Sequence, residues 1–169
     1  MPPWLLTIVA VLRVPFVWVA GELNVGNQLR ERRLAAERLR DPCYRIADYW
    51  TELTGLFRDG WTVDHVPASE LIQRMTDNLL YLQREGLDEV LTRCRTSTHP
   101  AAQDVAGAAT EVQQALTDLV DDAPRSGGSP YVRTTIPIAD TLIEAVRTAV
   151  DQLADANSAF VWSARKDLR

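Results

Sequence analysis

From residue 25 onward, the hydrophobic positions recur at helical spacing. Apolar side chains separated by alternating steps of three and four residues form one stripe along about 30 residues, which predicts an amphipathic helix. Asp41-Pro42 interrupts this stripe without changing its phase, so we expect a kinked continuation or a fresh start at Asp41, with the helix ending at Gly60. The stripe consists of Leu29, Ala36, Leu39, Cys43, Ile46, Trp50, Leu53 and Phe57.

The same spacing predicts three further helices. The second begins near Pro67, breaks at Gly86 and is extended by the segment LDEVLTRC. The third spans residues 101–122 and the fourth residues 135–166, separated by a Gly-, Ser- and Pro-rich flexible loop at 123–134. The positions predicted to face inward are Ile72, Met75, Leu79 and Leu82; Leu87, Val90, Leu91 and Cys94; Val105, Ala109, Val112, Leu116 and Leu119; and Ala139, Leu142, Val146, Ala149, Leu153, Ala156 and Phe160.

Four amphipathic helices joined by short loops are best accommodated by an up-and-down bundle. We therefore predict an all-α fold, an antiparallel four-helix bundle preceded by an N-terminal apolar transmembrane helix. The heptad spacing also allows a coiled-coil oligomer, so a homo-oligomer stays open.

The N-terminal run WLLTIVAVLRVPFVWVAG predicts a short membrane anchor. Its ten Leu, Ile, Val and Phe residues between Leu5 and Val19 favour insertion by about 3 to 6 kcal/mol, whereas Arg13 near the middle costs about 2.5 to 3.5 kcal/mol. Trp4 and Trp18 stand at the two ends of the run, where indole rings favour the headgroup region. The run is short for a bilayer, so either thinning of the bilayer or snorkelling of Arg13 toward the nearer interface has to absorb the mismatch.

Two alternatives to the anchor remain. A cleaved signal peptide fits less well, because residues 1–3 carry no basic side chain and Trp18 occupies a position that requires a small residue. In a soluble domain, TIVAVLR and PFVWVA would form two buried strands, but no later segment has the pattern of a strand to pair with them.

The charge is distributed unevenly along the chain. The net charge is −5, with −8 in residues 41–169, and an acidic surface repels a phosphate backbone, so we expect no nucleic-acid partner. An arginine-rich stretch directly follows the apolar run, and the positive-inside rule therefore places the bulk of the chain in the cytoplasm of a single-pass cell-membrane protein. This divides the chain into an anchor at 1–21, a basic juxtamembrane helix at 22–40 and a helical bundle at 41–169. The candidate contacts with lipid headgroups are Arg30, Arg32, Arg33, Arg38 and Arg40.

The chain resembles a group of small membrane-anchored helical proteins of actinobacteria. The resemblance lies in the layout: a short apolar anchor, the arginine-rich segment QLRERRLAAERLR, a helical hairpin region and a closing helix that ends FVWSARKDLR. It implies an anchor and a bundle, and it implies no activity, cofactor or catalytic residue.

No residue constellation indicates an enzyme. Cys43, Cys94, His65 and His99 lack the spacing of a structural zinc site, and no Glu stands three residues before a His, as a di-metal bundle requires. Phosphate-loop and hydrolase motifs are also missing from the sequence. We therefore expect no catalytic residue, metal or cofactor.

The leading interpretation is a membrane-anchored cytoplasmic helical bundle that acts as an interaction or scaffolding module, with the lipid bilayer and an unidentified protein as its partners. The alternative is a soluble or exported helical domain that binds a small ligand between its helices.

Overall fold

Five α-helices account for nearly all of the residues that the structure, a computed structural model, describes. The backbone is described for residues 3–57, 62–63, 65–122, 136–137 and 139–168, and the side chains for residues 25–57, 68–121 and 139–168. The prediction of an all-helical chain is confirmed. The elements are α1 (Pro3–Gly55), β1 (Thr62–Val63), α2 (His65–Tyr81), a π turn (Leu82–Gly86), α3 (Leu87–Arg93), a 3-10 turn (Thr96–Thr98), α4 (His99–Asp122), β2 (Ile136–Pro137) and α5 (Asp140–Asp167).

The sequence predicted a helix break at Gly86, and this prediction is wrong. The π turn joins α2 to α3, so that helical backbone continues from His65 to Arg93. A Cβ atom at Gly86 would lie 3.2 Å from the Cδ1 atom of Leu39 on α1. Glycine at this position therefore allows α1 to approach closely, and the signal that suggested a helix end reflects tertiary packing.

The helices pack around one core. Along α1, Glu31 pairs with Arg93 and Arg38 pairs with Glu89, so α1 and the α2–α3 stretch run in opposite directions. Helix α4 packs mainly against α5, and α1 packs against α2, α3 and α5. The fully buried side chains are contributed by all of these helices, the largest being Phe160, Leu39, Ile46, Leu53, Met75, Leu79, Leu82, Leu153, Val90, Val105, Val112 and Val146.

Helix α1 continues through Pro42, so the expected continuation is confirmed and the alternative of a fresh start at Asp41 is wrong. It ends at Gly55 rather than at Gly60. Its apolar stripe enters the core from Ala35 onward, whereas residues 25–30 are exposed. The bundle thus includes part of the basic stretch at 22–40, which the sequence analysis had set apart from it.

The inward face of α4 was predicted correctly, and that of α5 was predicted only in part. All five predicted core positions of α4 are buried. On α5, Ala139 is exposed and Leu142 and Ala156 are half-buried, while Ile143, Val150 and Asn157 lie in the core. Val146, Ala149, Leu153 and Phe160 are buried as predicted, so the core face of α5 is wider than the predicted stripe rather than out of phase with it. The polar Asn157 occupies a core position that a hydrophobicity pattern passes over.

Helix α5 also begins later than predicted, at Asp140. The preceding Ile136 and Pro137 pair antiparallel with Val63 and Thr62 in a two-residue ladder. Extended backbone at this ladder replaces the first turn of the predicted helix. The predicted loop at 123–134 lies outside the described residues.

The backbone of the N-terminal run is helical, which excludes the alternative of two buried strands. The side chains of Trp4, Arg13 and Trp18 lie outside the described residues. Among the described residues, no helix has the length and hydropathy that crossing a membrane requires.

Candidate functional site

Three segments meet at the end of the bundle where α1 enters it. We call this the proximal end and define it as residues 31–40 of α1, residues 93–99 between α3 and α4, and residues 160–168 of α5. The thiol of Cys94 donates to the carbonyl of Arg32 with an Sγ–O distance of 3.7 Å, and the backbone amide of Arg95 donates to Asp167. These contacts link α1 and α5 through the segment between α3 and α4.

Two of the five predicted lipid-contact arginines form no ion pair with a described carboxylate, and three are paired within the bundle. Arg30 is exposed and Arg32 is half-buried. The other three form ion pairs within the bundle. These pairs are Arg33 with Glu37 at 2.9 Å, Arg38 with Glu89, and Arg40 with Asp41 at 2.7 Å.

The hydrogen bond to Asp41 raises the pKa of the Arg40 guanidinium, and partial burial opposes this effect. Arg40 therefore stays charged at every accessible pH. Because both partners of the Arg33–Glu37 and Arg40–Asp41 pairs remain partly exposed, each pair contributes at most about 1 kcal/mol to stability.

Asp167 is the buried charge of the proximal end. Its side chain is 2% exposed and lies 3.1 Å from the Nε atom of Arg95, whose side chain is 58% exposed. One carboxylate oxygen also accepts the backbone N–H of Arg95 at 3.0 Å. Asp167 thereby fixes the segment between α3 and α4 against the end of α5.

A cleft of about 250 Å³ opens between α1 and α5. Its floor is apolar and includes the fully buried Phe160, with Ala36 and Ala164 on opposite helices. The two alanines leave this space because a larger side chain at either position would fill it. Arginines stand on both walls, Arg33 and Arg40 on α1 and Arg165 on α5, and Glu37 is the only carboxylate in the lining.

Both cysteines are free and are poor nucleophiles. Burial raises the pKa of the Cys43 thiol to about 12 and that of the Cys94 thiol to about 11. The nearby Asp167 raises the pKa of Cys94 further, while Arg32 lowers it. Because the thiolate is the reactive form, these environments do not support nucleophilic catalysis at neutral pH.

The described side chains do not gather three or more His, Cys, Asp or Glu residues in a metal-binding arrangement. The Nε2 atom of His99 lies 3.3 Å from the carbonyl of Cys94, a contact that ties the start of α4 to the end of α3. His65 carries a side chain outside the described set.

Arg95, Asp167 and Arg165 were not among the site residues predicted from the sequence. A weak signal existed for Arg165, since basic residues in the last turn of a helix complement its dipole. No local signal distinguishes Asp167 from a surface carboxylate, because its burial depends on the packing of α5 against residues 93–99.

Comparison with known proteins gave no match: no family model, no curated protein and no solved structure is similar to this chain. The resemblance to actinobacterial membrane-anchored proteins therefore stays a prediction.

Proposed function

We propose that this chain is a single-pass, membrane-anchored helical bundle whose cytoplasmic part acts as an interaction or scaffolding module. The observation that carries the proposal is the length of α1 relative to the bundle. Residues 25–30 are exposed, and Glu31 pairs with Arg93 at the proximal end. The backbone is helical from Pro3, so α1 extends for about 42 Å before it reaches Glu31.

This extension suits a membrane anchor. The hydrocarbon core of a bilayer is about 30 Å thick, and the extension carries the apolar run WLLTIVAVLRVPFVWVAG. An anchor in this part of α1 would leave the remaining turns, up to Glu31, to cross the headgroup region. The proximal end would then face the membrane.

The arginines support the orientation more strongly than they support lipid binding. In a straight, upright α1, Arg30 would lie about 15 Å and Arg40 about 30 Å beyond Ala20. The potential of an anionic leaflet decays over about 8 Å at physiological ionic strength. All five arginines would contact headgroups only if α1 tilted toward the membrane surface, whereas the positive-inside effect extends over about 15 to 20 residues.

A shallow groove between α4 and α5 supports the interaction role. Its apolar floor includes Leu142 and Ala149, and three carboxylates, Glu111, Asp118 and Glu144, lie along it. Such a surface is suited to a partner that carries both apolar and basic side chains.

Membrane fractionation of the full chain tests the anchor. We expect the protein to stay in the membrane pellet after an alkaline wash. Val11→Asp should release it, because a second charge near the middle of a marginal span costs about 2.5 to 3.5 kcal/mol. Val25→Asp is the matched control, since the same substitution at this exposed site outside the run should leave the protein in the pellet.

Two results would contradict the proposal. Release of the unaltered chain by the alkaline wash would favour the soluble alternative with a ligand between its helices. Protection of a carboxy-terminal tag from protease in inside-out vesicles would place the bulk of the chain on the opposite side of the membrane.

A further inference from the structure

We propose that the cleft between α1 and α5 binds the anionic head of a single-chain amphiphile, such as an alkyl phosphate or a fatty carboxylate. The inference is independent of the membrane proposal, because it concerns a cleft formed entirely by described residues of the bundle.

The charge of the cleft favours an anion. Its lining contains three arginines and one carboxylate, a net charge of +2. Arg33 already pairs with Glu37, and Arg40 pairs with Asp41. Arg165, by contrast, forms no ion pair with any described carboxylate, so its guanidinium is available to a ligand.

The position of Arg165 makes the cleft a two-walled site. Arg33 and Arg40 are seven residues apart on one face of α1, which separates them by about 10 Å along the helix axis. Arg165 lines the cleft from the other helix, α5. A planar guanidinium donates two parallel hydrogen bonds to a carboxylate or phosphate, so Arg165 provides a directional contact in addition to charge.

The floor of the cleft explains why the ligand should be an amphiphile. Besides the arginines, the lining includes Ala36, Val161 and Leu168, whose apolar side chains are half-buried and keep some surface exposed to the cleft. A fully hydrated inorganic anion gains nothing from this surface, whereas an alkyl chain attached to the anion removes it from water. A volume of about 250 Å³ accommodates a head group with a short length of chain.

Calorimetric titration of the full chain in a neutral detergent tests the inference, with octyl phosphate as the probe. We expect saturable binding of octyl phosphate and much weaker binding of inorganic phosphate. Arg165→Gln should weaken the binding about tenfold or more, because a charge-assisted hydrogen bond is lost. Ala36→Leu should weaken it as well, by filling the cleft without changing its charge.

Two matched variants on α5 serve as controls. Arg147→Gln removes an exposed arginine outside the cleft, and Ala145→Leu enlarges an exposed alanine outside it. Both should bind octyl phosphate as the unaltered chain does. Far-UV circular dichroism of each variant verifies that the helices are retained.

Repeating the titration in nanodiscs distinguishes two sources of the same ligand chemistry. If a bilayer lipid occupies the cleft, anionic nanodiscs will lower the affinity for octyl phosphate relative to zwitterionic nanodiscs; if a free amphiphile is the ligand, the two affinities will agree. The inference is overturned if Arg165→Gln and Arg147→Gln bind alike, if Ala36→Leu binds normally, or if inorganic phosphate binds as tightly as octyl phosphate.

Discussion

The buried carboxylate of Asp167 provides the sharpest test of how the proximal end is held together. Replacing Asp167 with alanine removes the acceptor of the Arg95 backbone N–H and the partner of its guanidinium. Replacing Arg95 with alanine removes the guanidinium alone, because the backbone N–H remains. The two substitutions should therefore differ in cost, and the asymmetry follows from the geometry.

The magnitudes follow from burial. A hydrogen bond to a charged group contributes about 1.5 to 3 kcal/mol, and the unpaired amide left by Asp167→Ala adds to the loss, so we expect the free energy of unfolding to fall by about 2 to 4 kcal/mol. The Arg95 side chain is 58% exposed, so solvent screens its ion pair. We expect Arg95→Ala to cost about 1 to 2 kcal/mol.

Urea unfolding of the full chain in a neutral detergent, followed by far-UV circular dichroism, measures both costs. Urea is preferable to guanidinium because it leaves the ion pair unscreened. Arg147→Ala is the control, since its pair with Glu144 joins two side chains that are more than 60% exposed, and it should change stability by less than about 0.5 kcal/mol. Equal costs for Arg95→Ala and Asp167→Ala would refute the argument, because the backbone hydrogen bond would then contribute nothing.

Three further outcomes are expected. Gly107→Ala should stabilise the chain by up to about 1 kcal/mol through helix propensity, since its Cβ meets no atom within 4 Å. Gly86→Ala should give no such gain, because its Cβ would press on the buried Leu39. Melting temperatures compare the two variants, and an equal gain would contradict the close approach of α1 to Gly86. Phe160→Ala should cost about 3 to 5 kcal/mol in urea unfolding, and a cost below 1 kcal/mol would contradict its place in the core. Alkylation of Cys43 and Cys94 should be slow at pH 8, and its rate should increase as the pH approaches the thiol pKa, about 11 for Cys94 and about 12 for Cys43, so that Cys94 reacts at the lower pH. Because folding raises both pKa values above the unfolded value of about 8.5, the stability should fall as the pH rises from about 8.5 toward these values. Rapid labelling of both native thiols at pH 8 would refute the assignment.

Hydrophobic periodicity was sufficient to predict the helices and most of the core. The stripe on α4 was correct at every position because that helix has a polar opposite face and an uninterrupted apolar spacing. The stripe on α5 was correct at Val146, Ala149, Leu153 and Phe160 but missed Asn157, because burial of a polar side chain depends on tertiary packing. Gly86 shows the same limit, since a glycine that admits a neighbouring helix and a glycine that ends a helix look alike in sequence.

The candidate site was less accessible to sequence reasoning than the fold. The density of arginines in residues 30–40 was evident, and the Arg33–Glu37 and Arg40–Asp41 pairs lie within α1. The Arg38–Glu89 pair and the cleft shared with Arg165, by contrast, require α1 to lie beside α3 and α5. That pairing of distant segments is not encoded in any local spacing. A count of charges in residues 22–40 therefore indicated a basic surface but could not show that Glu89 on α3 neutralises Arg38.

The continuity of α1 from Pro3 into the bundle has a mechanical consequence. Each residue of an α-helix turns the backbone by about 100° and advances it by about 1.5 Å. Inserting one residue between positions 22 and 30 would rotate the entire bundle by about 100° around the α1 axis relative to the N-terminal run, whereas inserting seven would nearly restore the original angle. A continuous α1 thus fixes the rotation of the bundle relative to the N-terminal run, and this rotation determines whether the arginine-walled cleft or the acidic groove faces a neighbouring molecule.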